Sequence, residues 1–135
     1  VGGLYGTILT IHNLFGTLTL LLTLIAGGVL LATARTGTTA SSGLLRGALI
    51  SVSIQFLLGM AMVLIAIFTI SVEYAARYWL HYLLGFISVG VVSAVTARAR
   101  RAPDSQARRY GGIMLGVAVL VLVTFLVGQF RWTLI

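Results

Sequence analysis

The chain has no cysteine and no lysine, one proline, and only two acidic residues among its 135. Without cysteine there can be no disulfide, no covalently attached c-type haem and no thiolate-ligated iron–sulfur cluster. Charged residues make up 8% of the sequence, whereas a soluble domain typically carries about a quarter. So little charge cannot clothe a water-facing surface, and the solvent of this chain must be largely lipid. The two acids, Glu73 and Asp104, both fall outside the apolar runs. A proton relay or a charged transport pathway usually needs an ionisable group inside a span, so a small transporter or channel is disfavoured.

What is present is apolar: 59% hydrophobic residues and a mean hydropathy of +1.11. About 20 apolar residues suffice to cross a hydrocarbon core of roughly 30 Å as an α-helix. Val1–Ala34 and Gly47–Val72 carry no charge, Tyr78–Ala97 is interrupted only by His81, and Tyr110–Phe130 is the fourth such run. Segments such as LGVAVLVLVTFLVG do not alternate in polarity as barrel strands do. The expected fold is an all-α membrane protein: a single domain over residues 1–135 with four transmembrane helices at about 4–33, 44–72, 76–98 and 109–131. The first run exceeds the apolar region of a signal peptide and reads as a retained helix. Short connections favour antiparallel neighbours and hence an up-and-down bundle.

All nine basic residues are arginines. Arg35 and Arg46 flank the first connection; Arg98, Arg100, Arg101, Arg108 and Arg109 crowd the third; Arg77 and Arg131 lie on the opposite side. Basic residues of short loops are retained in the cytoplasm, so both termini are expected on the outer side of a bacterial inner membrane. The net charge of +7 hugs the helix ends, where anionic lipid headgroups account for it without nucleic acid. The first connection, rich in Gly, Ser and Thr, reads as a flexible loop, and Pro103-Asp104-Ser105 as a turn before the fourth span. Glu73 and Arg77, four apart in the favoured order, suggest that helix persists in the second connection. Tyr74, Tyr78, Trp79, Tyr82, Phe130 and Trp132 read as an interfacial aromatic belt.

The two histidines, His12 and His81, open similar phrases, HNLFG and HYLLG, inside the first and third spans. In an up-and-down bundle those two spans run the same way and face each other diagonally. Counted from starts near Leu4 and Ala75, the histidines lie roughly 12 Å and 9 Å into their helices. An ionisable residue within a span marks function or a specific partner by default, and haem iron is commonly held by axial imidazoles. Gly16 and Gly85 follow one turn inward on the same faces, where bare backbone would suit a flat macrocycle; close helix packing explains them equally. Gln55 in the second span and Gln129 in the fourth can reach a haem propionate, a quinone oxygen or another helix. The intramembrane Ser and Thr hydroxyls can return to their own backbones. Met60, Met62 and Met114 read as packing, with an axial methionine as an alternative ligand.

These residues resemble a group of small bacterial four-helix integral membrane proteins loosely described as cytochrome-b-like. The features they share are His12 in the first helix, QFLLG at 55–59 in the second, His81 at the start of the third and ARARRA at 97–102. The resemblance implies a haem-binding or redox-complex role for the two histidines and supplies no substrate.

The expected function is a b-type cytochrome-like subunit of a respiratory or photosynthetic electron-transfer complex. One haem b would lie between the first and third helices, with His12 and His81 on its iron and Gly16, Gly85 and Gln55 beside it. A quinone nearby and other membrane subunits are expected as partners in such an assembly. The alternatives are a cofactor-free structural accessory subunit, or a subunit whose histidines ligate the magnesium of chlorophyll. No independent catalytic reaction is expected.

Overall fold

The structure is a computed structural model that describes residues 2–130. Arg131 and Trp132, counted above as flanking groups, and the expected last residue of the fourth span lie outside the described residues. The chain forms α1 (Gly2–Thr33), α2 (Thr39–Thr69), a short α3 (Val72–Ala76), α4 (Trp79–Arg101) and α5 (Ala107–Phe130), with a 3-10 turn at Asp104–Gln106. Four of these, α1, α2, α4 and α5, are long and apolar enough to cross a membrane.

The helix boundaries follow local chemistry that hydropathy does not register. The α2 helix starts at Thr39, ahead of the expected 44, because the Thr38 hydroxyl accepts the Ser41 N–H at 3.1 Å and caps it. Most of the GTTASSG stretch is therefore helical instead of a flexible loop. Its remaining link turns at Ala34, which takes a left-handed backbone (φ 52°) while its N–H donates to the Leu30 carbonyl at 3.1 Å. Helix does persist after α2, as α3, where Ser71 accepts the Tyr74 N–H at 3.0 Å. The Tyr82 hydroxyl donates to the Ala75 carbonyl at 2.8 Å and ties α3 to α4.

On the arginine-rich side the two connections dock on each other. The Thr36 N–H donates to Asp104 Oδ1 at 2.9 Å. Its hydroxyl reaches both the Ala102 carbonyl (2.6 Å) and Asp104 Oδ1 (3.1 Å), with one proton to share. The Thr36 amide, then its hydroxyl, holds the Asp104 carboxyl below the usual carboxylate range, and the Arg35 charge adds to this.

Each long helix packs on two others, in the cyclic order α1–α2–α4–α5. Since lipid tails are as apolar as leucine, close approach and interhelical hydrogen bonds carry much of this packing. Helices α1 and α5 approach closely: a Cβ on Gly27 would lie 3.0 Å from the Gly111 carbonyl oxygen, and one on Gly111 would lie 3.0 Å from the Gly27 carbonyl. The buried interior is small and partly hydroxylated, with Ala26, Leu30, Leu45, Ala99, Ala107 and Met114 clustered together and Thr19, Thr23, Ser88 and Thr96 buried elsewhere. Thr23 and Thr96 return their hydroxyls to their own helices, as expected of spans. Thr19 and Thr124 do the same, to the Phe15 and Leu120 carbonyls, and also meet a hydroxyl of a neighbouring helix: Thr19 meets Ser51 across α1 and α2 at 2.8 Å, and Thr124 meets Ser88 across α4 and α5 at 2.9 Å. Large side chains such as Leu14, Leu57, Phe68 and Val119 face outward, where lipid would cover them.

Candidate functional site

Near its start α1 meets α3 through the Tyr5 and Tyr74 rings, edge to face with centroids 6.3 Å apart. This arrangement lets His12, ten positions after the start of α1, sit level with His81, two positions after the start of α4. The two imidazoles face each other with centroids 6.1 Å apart and planes at 82°.

Each ring is fixed by the partner helix of its own hairpin. His12 Nδ1 lies 2.9 Å from the Gln55 carbonyl oxygen of α2, and His81 Nδ1 lies 2.9 Å from the Thr124 carbonyl oxygen of α5. A carbonyl only accepts, so both Nδ1 atoms carry the proton and donate it, and both Nε2 atoms keep a lone pair. Such backbone anchoring of the distal nitrogen is a common way to orient a metal-ligating imidazole.

Glycine makes these bonds accessible. In a helix the Cα–Cβ bond leans toward the N-terminus, so the side chain at position i+4 tends to cover the carbonyl at i. Four residues after Gln55 is Gly59, and four after Thr124 is Gly128. A Cβ on Gly59 would lie 3.2 Å from His12 Cε1, and a Cβ on Gly128 would lie 2.7 Å from His81 Cε1 and 2.8 Å from its Nδ1. A side chain at 128 would displace the ring.

The histidines line a cavity of about 470 Å³, bounded by all four long helices, within the roughly 300–1,000 Å³ of small-molecule and cofactor pockets. The aromatic Phe56 and Phe86, stacked edge to face at 5.1 Å, also line it. Tyr5, Tyr74, Tyr78 and Tyr82 line it too, so the expected aromatic belt divides: these tyrosines turn inward while Trp79 and Phe130 are exposed.

The other anticipated residues separate in the same way. Gly85 lines the cavity and has open space where a Cβ would stand. Gly16 is buried in helix packing instead, where a Cβ would meet Gln55 Nε2 at 2.8 Å and Phe125 at 3.3 Å. Gln55 and Gln129 both line the cavity, and the Gln55 backbone is what holds His12. Met60 and Met62 are on its wall, whereas Met114 belongs to the separate cluster around Leu30 and Leu45. Gly128, Thr124 and Tyr5 were not anticipated from the sequence, and Gly59 figured there only as the last residue of QFLLG. Their signal is the pair of phrases QFLLG at 55–59 and TFLVG at 124–128, which places a glycine four residues after each acceptor.

The donor set suits a metal that brings most of its own ligands. Among the described residues no three His, Cys, Asp or Glu side chains gather, so a bare ion would find two imidazoles. Two nitrogens each about 2 Å from one metal, with about 1.1 Å from ring centre to nitrogen, put imidazole centroids about 6 Å apart. The observed separation of 6.1 Å is that of an ordinary edge-to-face ring contact, and it is also about what two imidazoles sharing one metal would show. No protein-family model, no curated protein and no solved structure matched this chain.

Proposed function

We propose that this chain is a b-type cytochrome-like subunit of a membrane electron-transfer complex, binding one haem b between α1 and α4. The observation that carries the reading is the pair of imidazoles, each with Nδ1–H on a backbone carbonyl, at 6.1 Å over a cavity of about 470 Å³. His12 and His81 would be the axial ligands, Gly85 would leave room for the ring, and Gln55 and Gln129 offer polar contacts at its edge. Bound haem supplies one-electron redox chemistry. The protein's part is to hold two neutral imidazoles in one tautomer and to surround the site with Phe56, Phe86 and the four tyrosines, limiting water.

In this reading the four long helices form an up-and-down bundle in a bacterial inner membrane, with both termini outward and the haem in the outer leaflet. The arginine count on the two sides supports that orientation. Arg98, Arg101 and Arg109, which share a surface depression with Tyr110, would meet anionic headgroups. Electrons would come from and go to neighbouring membrane subunits or quinone.

A second reading, a structural subunit without cofactor, is favoured by one observation: the protein itself satisfies both Nδ1–H groups, so neither ring needs a ligand to be stable. Chlorophyll fits less well, because a 6.1 Å ring separation leaves room for one bridging group and not for two separately ligated pigments.

Absorption spectra of the detergent-purified protein, oxidised and dithionite-reduced, separate these readings. Haem gives a Soret band and a sharp reduced α-band that both His12→Ala and His81→Ala abolish or shift. A fully assembled preparation with no Soret band sinks the haem reading and leaves the structural one; red-region pigment bands indicate chlorophyll.

A further inference from the structure

The two halves of the chain repeat each other in register. Each of the residues His81, Gly85, Thr124, Phe125 and Gly128 follows its counterpart, His12, Gly16, Gln55, Phe56 and Gly59, by 69 positions. The same offset relates Tyr5 to Tyr74, Gly43 to Gly112, Gly47 to Gly116 and Val52 to Val121. It needs no gap, although the connections it crosses, GTTASS and QARRYG, have nothing in common.

The contacts repeat with the residues. In each half the histidine bonds a carbonyl 43 positions later and its ring abuts the glycine four further on. Seven residues after each histidine a hydroxyl also bonds across its hairpin, though to partners one turn apart in register: Thr19 to Ser51, 32 positions on, and Ser88 to Thr124, 36 positions on. Exchanging α1 with α4 and α2 with α5 also leaves the cyclic packing order α1–α2–α4–α5 unchanged.

Two contacts locate the relation between the halves. In a two-fold arrangement only residues on the axis touch their own counterparts. His12 meets His81, and Tyr5 meets Tyr74, both edge to face. Each tyrosine precedes its histidine by seven residues, Tyr5 two turns earlier in α1 and Tyr74 in α3, before the break that leads into α4. The axis therefore runs along the bundle through the cavity, with the tyrosine pair above the imidazole pair.

We infer that the cavity is a two-fold site built from a repeated helical hairpin, taking one planar metal-bearing ring on the axis, with Gly59 and Gly128 as the positioning residues of its two equivalent halves. The ligand class rests on the haem reading; the equivalence of the halves and the role of the glycines do not. Each hairpin presents one imidazole with a free Nε2, so the ligand must offer like chemistry to both sides, as a metal with two open axial positions does. The halves differ in what surrounds the imidazoles: Gln55 against Thr124, Asn13 against Tyr82 and Met60 against Gln129. Those differences give the ring's edges distinct surroundings while the metal sees two alike.

The test uses the full chain in detergent, labelled with 15N-histidine and free of pigment, alongside haemin titration. NMR should find both histidines with Nδ1 protonated and Nε2 bare. Gly59→Ala should perturb His12 alone and Gly128→Ala should perturb His81 alone, while Gly85→Ala, which meets open space, should leave both tautomers in place. The two positioning variants should each weaken haemin binding by about 10–100-fold, the usual effect of losing a ligand's supporting partner, and Gly128→Ala by the larger factor, since its Cβ would stand 2.7 Å from the ring against 3.2 Å at Gly59. If either variant disturbs both histidines or neither, or if Gly85→Ala shifts the tautomers as much, the equivalence is wrong. If haemin fails to bind the unsubstituted protein while the NMR pattern holds, the haem reading falls and the repeated half-site stands.

Discussion

Replacing Gly111 by alanine should loosen the bundle, whereas the same change at the adjacent Gly112 should not. A Cβ at 111 would meet Leu31 Cγ at 2.8 Å and two backbone atoms of α1, the Gly27 oxygen and the Leu31 nitrogen, both at 3.0 Å. Leucine can rotate away, but backbone cannot, so α1 and α5 must separate by some tenths of an ångström. Overpacking of this kind typically costs about 1–3 kcal/mol. At Gly112 nothing stands within 4 Å. Both substitutions gain the same helix propensity, about 0.5–1 kcal/mol, so the difference between the two variants isolates the steric cost. Reversible unfolding in mixed micelles should place Gly111→Ala about 1–3 kcal/mol below Gly112→Ala. Equal stabilities, or a less stable Gly112→Ala, would refute the close α1–α5 approach.

The remaining predictions concern other links in the fold. Ala34→Gly should stabilise the protein by roughly 1 kcal/mol, since Ala34 holds a left-handed backbone (φ 52°) that glycine adopts without cost; thermal unfolding checks it. A double-mutant cycle on Thr19→Val and Ser51→Ala, whose hydroxyls meet at 2.8 Å, should give a coupling of about 0.6 kcal/mol, the average for such interhelical bonds. The docking of Thr36 on Asp104 should be pH-dependent. The folded carboxyl is held below its ordinary 3.8, so the contribution is full above that value and is lost as pH falls through the lower folded one. The protection of the Thr36 amide, its exchange relative to the intrinsic rate at each pH, should fall across that acid window in the native chain and stay flat in Asp104→Asn.

The four spans were legible because uncharged runs of such length have few other solutions in a chain with so little charge. Their ends were less so: Thr38 starts α2 early by a single side-chain bond, which counts for nothing in hydropathy. Which way each helix faces was harder still, since lipid and protein interior are both apolar and the residues on the two sides look alike. Gly16 and Gly85 occupy matching places in their pentapeptides, yet one is packed against Gln55 and Phe125 and the other faces the cavity. The histidines stood out as the only imidazoles in apolar runs. Their partners did not, because a backbone carbonyl has no residue signature. Only the glycine that uncovers it leaves a trace in sequence, and QFLLG and TFLVG must be read together to find it.

The most direct measurement is the haem stoichiometry of the intact purified protein together with the electron paramagnetic resonance of its ferric form. Were His12 and His81 to hold a haem iron with their planes at the present 82°, the iron dπ orbitals would be nearly degenerate. The account therefore predicts one haem b per chain and a low-spin signal of strong axial anisotropy. A high-spin signal, a rhombic low-spin signal typical of parallel imidazoles, or no haem in a fully assembled preparation would contradict it.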